Sequence, residues 1–200
     1  SLWPPIVSAG IHSKGERDAM SLGPDFSDGN VPQRSFGERL LGAIKLDATV
    51  YEEVEHTPDA MGQAAGVVVL AVVAQTLGMP GDGGLVSGLL SGFIGWLIGT
   101  AVIWLIGVQI LKHTSDFQEL LRTLGFASAP QVLYVLGILP LGPLVPLLLL
   151  AVGVLGLFAW VIAVRQALDV TTNRSILICL LAQIPGFFIL LLAMAATPPV

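Results

Sequence analysis

The chain has 200 residues, of which 54% are hydrophobic and only 12% are charged, and its formal net charge is −5. A soluble domain usually carries about 25% charged residues, so this chain folded alone in water would expose large apolar patches. The composition excludes soluble enzymes and secreted disulfide scaffolds, and the negative charge offers no basic patch for nucleic acid. We therefore predict an all-α integral membrane protein.

Residues 1–34 predict an irregular tail on the cytoplasmic side of the membrane. Glycine and proline recur through it, for example at Pro4, Gly15 and Pro32, and interrupt any helical or strand period. Its few large apolar side chains cannot build a core of their own, so we expect them to dock on the surface of a partner protein. The expected anchors are Leu2, Trp3 and Ile6.

Residues 35–59 form a second region, which we interpret as an interfacial amphipathic helix. The apolar positions recur at helical spacing and are Phe36, Leu40, Ile44, Ala48, Tyr51 and Val54. The charged positions, expected to face water, are Glu38, Arg39, Lys45, Glu52, Glu53 and Glu55. Asp47 predicts the N-cap of a second short helix, with a break near residue 46. Such a helix would lie along the lipid headgroups with its apolar side inward.

Five apolar segments between residues 60 and 196 predict a bundle of five transmembrane helices. Their approximate ranges are 60–79, 85–111, 123–139, 144–164 and 175–196. An α-helix needs about 20 residues to cross the hydrocarbon core, so the second segment is long enough to tilt and the third is short. Pro130 in the third segment and Pro185 in the fifth predict kinks.

The basic residues predict the orientation of these spans. With the N-terminus in the cytoplasm, the inside segments are 1–59, 112–122 and 165–174, and together they hold all 9 Lys and Arg residues. The outside segments hold none, which agrees with the excess of basic residues in cytoplasmic loops. We therefore expect a multi-pass protein of a bacterial cytoplasmic (inner) membrane, with its N-terminus inside and its C-terminus outside.

Several stretches of the chain resemble the Yip1-domain membrane proteins, in particular the bacterial type. They are the segment DATVYEEVEHTPDA, the long Gly-rich second span, the segment RTLGFASAPQVLYVLGILP, and AVRQALDVTTNR before the last span. Gly125 and Phe126 followed by Pro130 resemble the family's Gly-Tyr…Pro element, with Phe in place of Tyr. The resemblance covers about residues 36–196 and implies a five-helix bundle with a cytoplasmic N-terminus. Eukaryotic members are associated with vesicle trafficking and small GTPases, but their acidic cytosolic motif is not recognisable here.

A set of small residues predicts close packing between helices. Its members are Gly62, Gly66, Gly88, Ser91, Gly92, Gly95 and Gly99. Small side chains at four-residue spacing let helix backbones approach closely in lipid. The pattern fits packing within the bundle, which we favour, and it also fits contact with another subunit or partner.

The sequence predicts no catalytic residue, no cofactor and no metal ion. Ionisable groups inside a membrane mark transport and proton pathways, and none lies well inside a predicted span. Glu52, Glu53 and His56 lie close enough on one helix to face a metal. A helical carboxylate site normally needs a second such set, so we interpret these three residues as a solvated helix face.

The favoured function is that of a non-enzymatic membrane protein acting through protein–protein contact. One form of this hypothesis is an accessory subunit of a larger photosynthetic or respiratory complex, with the bilayer and other membrane proteins as its partners. The alternative is a small transporter or channel. Its polar path would run near Gln131 and Gln183, in the third and fifth segments.

Overall fold

The computed structural model describes residues 34–79 and 84–196, and these residues form helices and no strand. The α-helices are α1 Phe36–Ile44, α2 Ala48–Glu55, α3 Ala60–Gly78, α4 Gly84–Trp104, α5 Phe117–Phe126, α6 Val145–Ala167 and α7 Thr172–Ala196. A π-helical stretch, Leu105–Ile110, continues α4, and a 3₁₀ helix, Ala129–Ile138, follows α5 and is called the 3₁₀ segment below. The predicted tail anchors Leu2, Trp3 and Ile6 lie outside the described residues.

Three helical stretches among the described residues are long and apolar enough to cross a membrane. They are Ala60–Gly78, Gly84–Ile110 and Gly142–Ala167. The predicted third span, 123–139, is divided between α5 and the 3₁₀ segment instead of forming one kinked helix. Pro130 explains the division, because it lacks a backbone N–H and disfavours the α conformation of the residue before it. The count of five crossings stays a prediction.

Helices α1 and α2 occupy the predicted amphipathic region, and the predicted break between them is confirmed. The backbone N–H of Ser35 donates to Oε2 of Glu38 at 2.7 Å, which completes a capping box at the start of α1. Asp47 is the N-cap of α2, and its Oδ1 accepts a hydrogen bond from the backbone N–H of Thr49 at 3.0 Å. A location along the lipid headgroups stays a prediction for both helices.

The charged side of α1 and α2 does not lie wholly in water, and this part of the prediction was wrong. Arg39 is 2% exposed and Glu55 is 8% exposed. The causes are tertiary, because Arg39 of α1 pairs with Glu53 of α2 and Gln63 of α3, and because α2, which carries Glu55, packs against both α5 and α6. Glu52 and His56 remain exposed.

The buried core and the outer surface of the bundle are both apolar. Tyr51 of α2 and Leu120 and Phe126 of α5 are completely buried. Long apolar side chains also cover the outside, where Val86 of α4 is 72% exposed and Leu147 of α6 is 64% exposed. Such a surface would favour aggregation in water, and it suits contact with lipid.

The 3₁₀ segment lies directly against α3. A Cβ atom added at Gly78 would overlap the backbone carbonyl of Tyr134, so only glycine permits this approach. Near the other end of α3, Gly125 of α5 lies against Ala64: a Cβ added at Gly125 would lie 2.7 Å from the Cβ of Ala64. Residues 125–137 therefore run parallel to α3 from Ala64 to Gly78, which is about 21 Å of helix at 1.5 Å per residue.

Candidate functional site

An ion pair between the buried Arg39 and the partly buried Glu53, extended by Gln63, joins α1, α2 and α3. The Arg39 guanidinium donates from Nε and Nη2 to Oε1 of Glu53, at 3.0 Å and 2.9 Å, and from Nη1 to Oε1 of Gln63 at 2.9 Å. Because Arg39 is almost completely buried, water and salt screen this pair less than a surface pair. Loss of Glu53 would leave the buried guanidinium of Arg39 without compensation of its charge. The arrangement fixes the position of α1 on the bundle.

A second buried arginine, Arg122 of α5, binds the C-terminal end of α2. Its Nε donates to the carbonyl of Val54 at 3.2 Å, and its Nη2 donates to the carbonyl of Glu55 at 2.6 Å. The last carbonyls of a helix have no partner within the helix, and the helix dipole favours a cation beside them. Arg122 therefore holds α2 in register with α5.

The side chain of Glu55 lies in an environment that favours its neutral form. The pKa of Glu55 is raised from 4.5 to about 7, mainly by burial; His56 lowers it, and the nearby charges of Asp169, Glu119 and Glu52 add to the rise. The pKa of His56 is itself raised, first by the contact of Nδ1 with the Glu52 carbonyl at 2.9 Å. The charge at this end of α2 therefore changes near neutral pH.

The structure separates the three residues considered as metal ligands. Glu53 pairs with Arg39, and the Nδ1 atom of His56 contacts a backbone carbonyl. Across residues 34–79 and 84–196, no group of three or more His, Cys, Asp or Glu side chains is placed to hold a metal ion. The prediction of a solvated face holds for Glu52 and His56, which are exposed, whereas Glu53 is partly buried in its pair with Arg39.

The set of small residues divides into two groups. At Gly88, Gly92 and Gly99 an added Cβ would meet side chains of neighbouring helices, namely Val72 for the first two and Trp160 for the third. The hydroxyl of Ser91 donates to the carbonyl of its own helix at Gly88. At the remaining positions, Gly62, Gly66 and Gly95, an added Cβ would meet no heavy atom within 4 Å. Packing within the part of the chain that the structure describes therefore explains the first group and not the second.

Gln131 and Gln183, the residues of the predicted polar path, line one pocket. The pocket has a volume of about 290 Å³ and lies between the 3₁₀ segment, α6 and α7. Its other described lining residues are Tyr134, Gly153, Gly156, Leu157 and Trp160, and none of them is charged. A path for transport through this pocket stays a prediction.

The roles of Arg39, Glu55 and Arg122 could not be predicted from the sequence. Arg39 and Glu55 have the spacing of an ordinary charged helix face, so their burial left no signal in the sequence. Arg122 left a weak one, because it directly precedes an apolar segment of the chain. A basic group at that boundary is also typical of a cytoplasmic loop, and the pattern does not separate the two roles.

A comparison with protein families decides the assignment. The family model of the Yip1 domain matches residues 50–194. The chain belongs to the Yip1 domain family. The match begins within α2 and extends into α7, so it contains Glu55, Arg122 and the pocket, and it confirms the resemblance drawn from the sequence. No curated protein and no solved structure matches the chain. The family match and the long apolar helices together identify a multi-pass membrane protein with a Yip1 domain.

Proposed function

We propose that this Yip1-domain protein is a non-enzymatic subunit of a larger membrane complex and that it acts by helix–helix contact. The open face of α3 carries the proposal. Gly62 and Gly66 lie one helical turn apart, and an added Cβ at either would meet no heavy atom within 4 Å. The opposite face of α3, which includes Ala64 and Val67, is completely buried in the bundle.

Two glycines on an open helix face need a physical reason. Each costs about 1 kcal/mol of helix stability relative to alanine. In lipid, apolar side chains gain little by leaving lipid for another helix, so association depends on close approach of backbones. Gly78 and Gly125 already serve such approaches within this chain. Among the described residues, Gly62 and Gly66 serve none, which supports a helix of another membrane protein as their partner.

The substitution Gly66→Leu tests this contact, because the new side chain would project into the open space beside α3. We expect the variant to keep the melting temperature of the isolated protein and to lower the fraction held in its complex by about tenfold, a change of ~1.4 kcal/mol. Gly186→Leu is the matched control, since Gly186 of α7 also has no heavy atom within 4 Å of an added Cβ. Native mass spectrometry in mild detergent would give the mass and the members of the complex.

Two outcomes of this experiment would count against the proposal. Full retention of partners by Gly66→Leu would show that this face of α3 meets lipid alone. A wild-type protein that always migrates as a single chain would refute the subunit role itself.

The proposal includes five crossings of a bacterial inner membrane, with the N-terminus in the cytoplasm. The parallel course of residues 125–137 and α3 supports it, because the third segment then crosses in the same direction as the first. The distribution of the 9 basic residues supports the same orientation. Transport by way of Gln131 and Gln183 remains the alternative, and no observation favours it over contact.

A further inference from the structure

The pocket between the 3₁₀ segment, α6 and α7 lies midway along the helices that form it. Gly153 and Gly156 are central in α6, which spans Val145–Ala167, and Gln183 is central in α7, which spans Thr172–Ala196. If these helices cross the bilayer, the pocket faces its hydrocarbon interior. Leu157, at the edge of the pocket, is 63% exposed, so the pocket opens sideways towards lipid.

Three polar side chains enter this apolar region without partners. Among the hydrogen bonds of the described residues, none involves the amide of Gln131, the hydroxyl of Tyr134 or the amide of Gln183. A polar group placed in hydrocarbon without a hydrogen bond costs several kcal/mol. The pocket therefore presents donors and acceptors to a molecule that is not part of the fold.

Small residues keep the pocket open. A Cβ added at Gly153 would lie 3.3 Å from the hydroxyl oxygen of Tyr134, and one added at Gly156 would meet no heavy atom within 4 Å. The indole of Trp160 completes the lining and offers a flat apolar surface to an occupant. Empty space, a flat ring and unpartnered polar groups are the usual components of a small-molecule site.

We propose that this pocket binds the head of a neutral membrane lipid that carries carbonyl or hydroxyl oxygens. Amide and phenol groups both donate and accept hydrogen bonds, so they suit such oxygens. The described lining residues include no cation to neutralise a phosphate. The volume of about 290 Å³ also sets a size limit, since a cavity of about 150 Å³ holds benzene. A quinone ring or the glycerol ester head of a diacylglycerol meets these requirements.

Binding can be measured on the full chain in detergent micelles, with native mass spectrometry counting the probe molecules bound per protein. The probes are a benzoquinone with a decyl tail, dioctanoylglycerol, and dioctanoylphosphatidylglycerol as the charged comparison. We expect saturable binding of one neutral molecule per chain and at least about tenfold weaker binding of the phosphatidylglycerol, because a buried unpaired charge is costly. The neutral probe that binds with the higher affinity shows whether a quinone or a diacylglycerol supplies the head that occupies the pocket.

Two variants remove the site in different ways. Gly156→Leu fills the pocket, and Gln183→Leu removes one amide, so each should weaken binding of the neutral probe by about tenfold or more. Gly37→Leu and Gln109→Leu make the same exchanges outside the pocket, at positions that neither proposal uses, and should bind as the wild type does. The melting temperature of each variant checks its folding, and Gln183→Leu decides the test if Gly156→Leu does not fold.

Three results would overturn the proposal. They are failure of both neutral probes to bind, equal binding by the wild type and both pocket variants, and binding of phosphatidylglycerol as tight as that of the neutral probes. The complex tested with Gly66→Leu does not enter this measurement, so the lipid site and the subunit role stand or fall separately.

Discussion

The raised pKa of Glu55 predicts that the stability of this protein falls as the pH rises. The folded protein retains the proton of Glu55 up to about pH 7, whereas the unfolded chain releases it near the ordinary value of 4.5. Between these values the folded state binds more protons than the unfolded state, so each increase in pH favours unfolding. Glu55 is 8% exposed, and water can compensate little of this effect.

The size of the effect follows from the displacement of the pKa. A rise from 4.5 to about 7 corresponds to about 3 kcal/mol, at about 1.4 kcal/mol for each pH unit. Glu55→Gln keeps the shape and stays neutral, and the Arg122 contact is to the backbone carbonyl. We therefore expect the variant to match the wild type near pH 4.5 and to be more stable than it by up to about 3 kcal/mol at pH 8.

The measurement is the free energy of unfolding in mixed micelles, obtained by titration with dodecyl sulfate at several pH values between 4.5 and 8. The raised pKa of His56 also stabilises the fold below its ordinary value of 6.5, and this contribution is lost as the pH rises through the folded pKa. The difference between wild type and Glu55→Gln gives the effect of Glu55, including its smaller influence on the pKa of His56. Glu52→Gln, which removes an exposed carboxylate from the same helix, should change the slope far less than Glu55→Gln, because the charge of Glu52 is the smallest of the named contributions to the pKa of Glu55. Parallel pH profiles for Glu55→Gln and wild type would refute the reasoning.

Three further predictions concern packing, the second arginine and topology. Gly78→Ala would force α3 away from the 3₁₀ segment and should destabilise the protein by about 1–3 kcal/mol, whereas Gly37→Ala, with open space around its added Cβ, should leave unfolding unchanged or slightly raise its free energy. Arg122→Gln should cost about 3 kcal/mol because it leaves buried carbonyls of α2 unpaired, and an unaltered denaturation curve would show that the contact is not stabilising. In cells expressing a variant without the native cysteine, an impermeant maleimide should label a cysteine at Leu141 and not one at Ser115; labelling of Ser115 from outside would reverse the orientation.

Features that depend on neighbours in the chain could be predicted from the sequence. The apolar run of α3 predicted a helix at 60–79, and the structure has Ala60–Gly78, because length and hydrophobicity are local properties. The cap at Asp47 was also predictable, since its oxygen bonds a backbone N–H only two residues away. Pro130 predicted an irregularity in the third segment, because the missing backbone N–H of proline is likewise a local property.

Burial and the use of each polar group depended on contacts between distant segments. Arg39, Glu53 and Gln63 come from three helices, and the spacing within one helix carries no information about such a meeting. Glu55 has the sequence context of a surface residue, and only the packing of α5 and α6 against α2 buries it. Likewise, Gly66 and Gly78 are equivalent as letters in an apolar run. The position of the 3₁₀ segment makes Gly78 a point of close backbone contact and leaves Gly66 open.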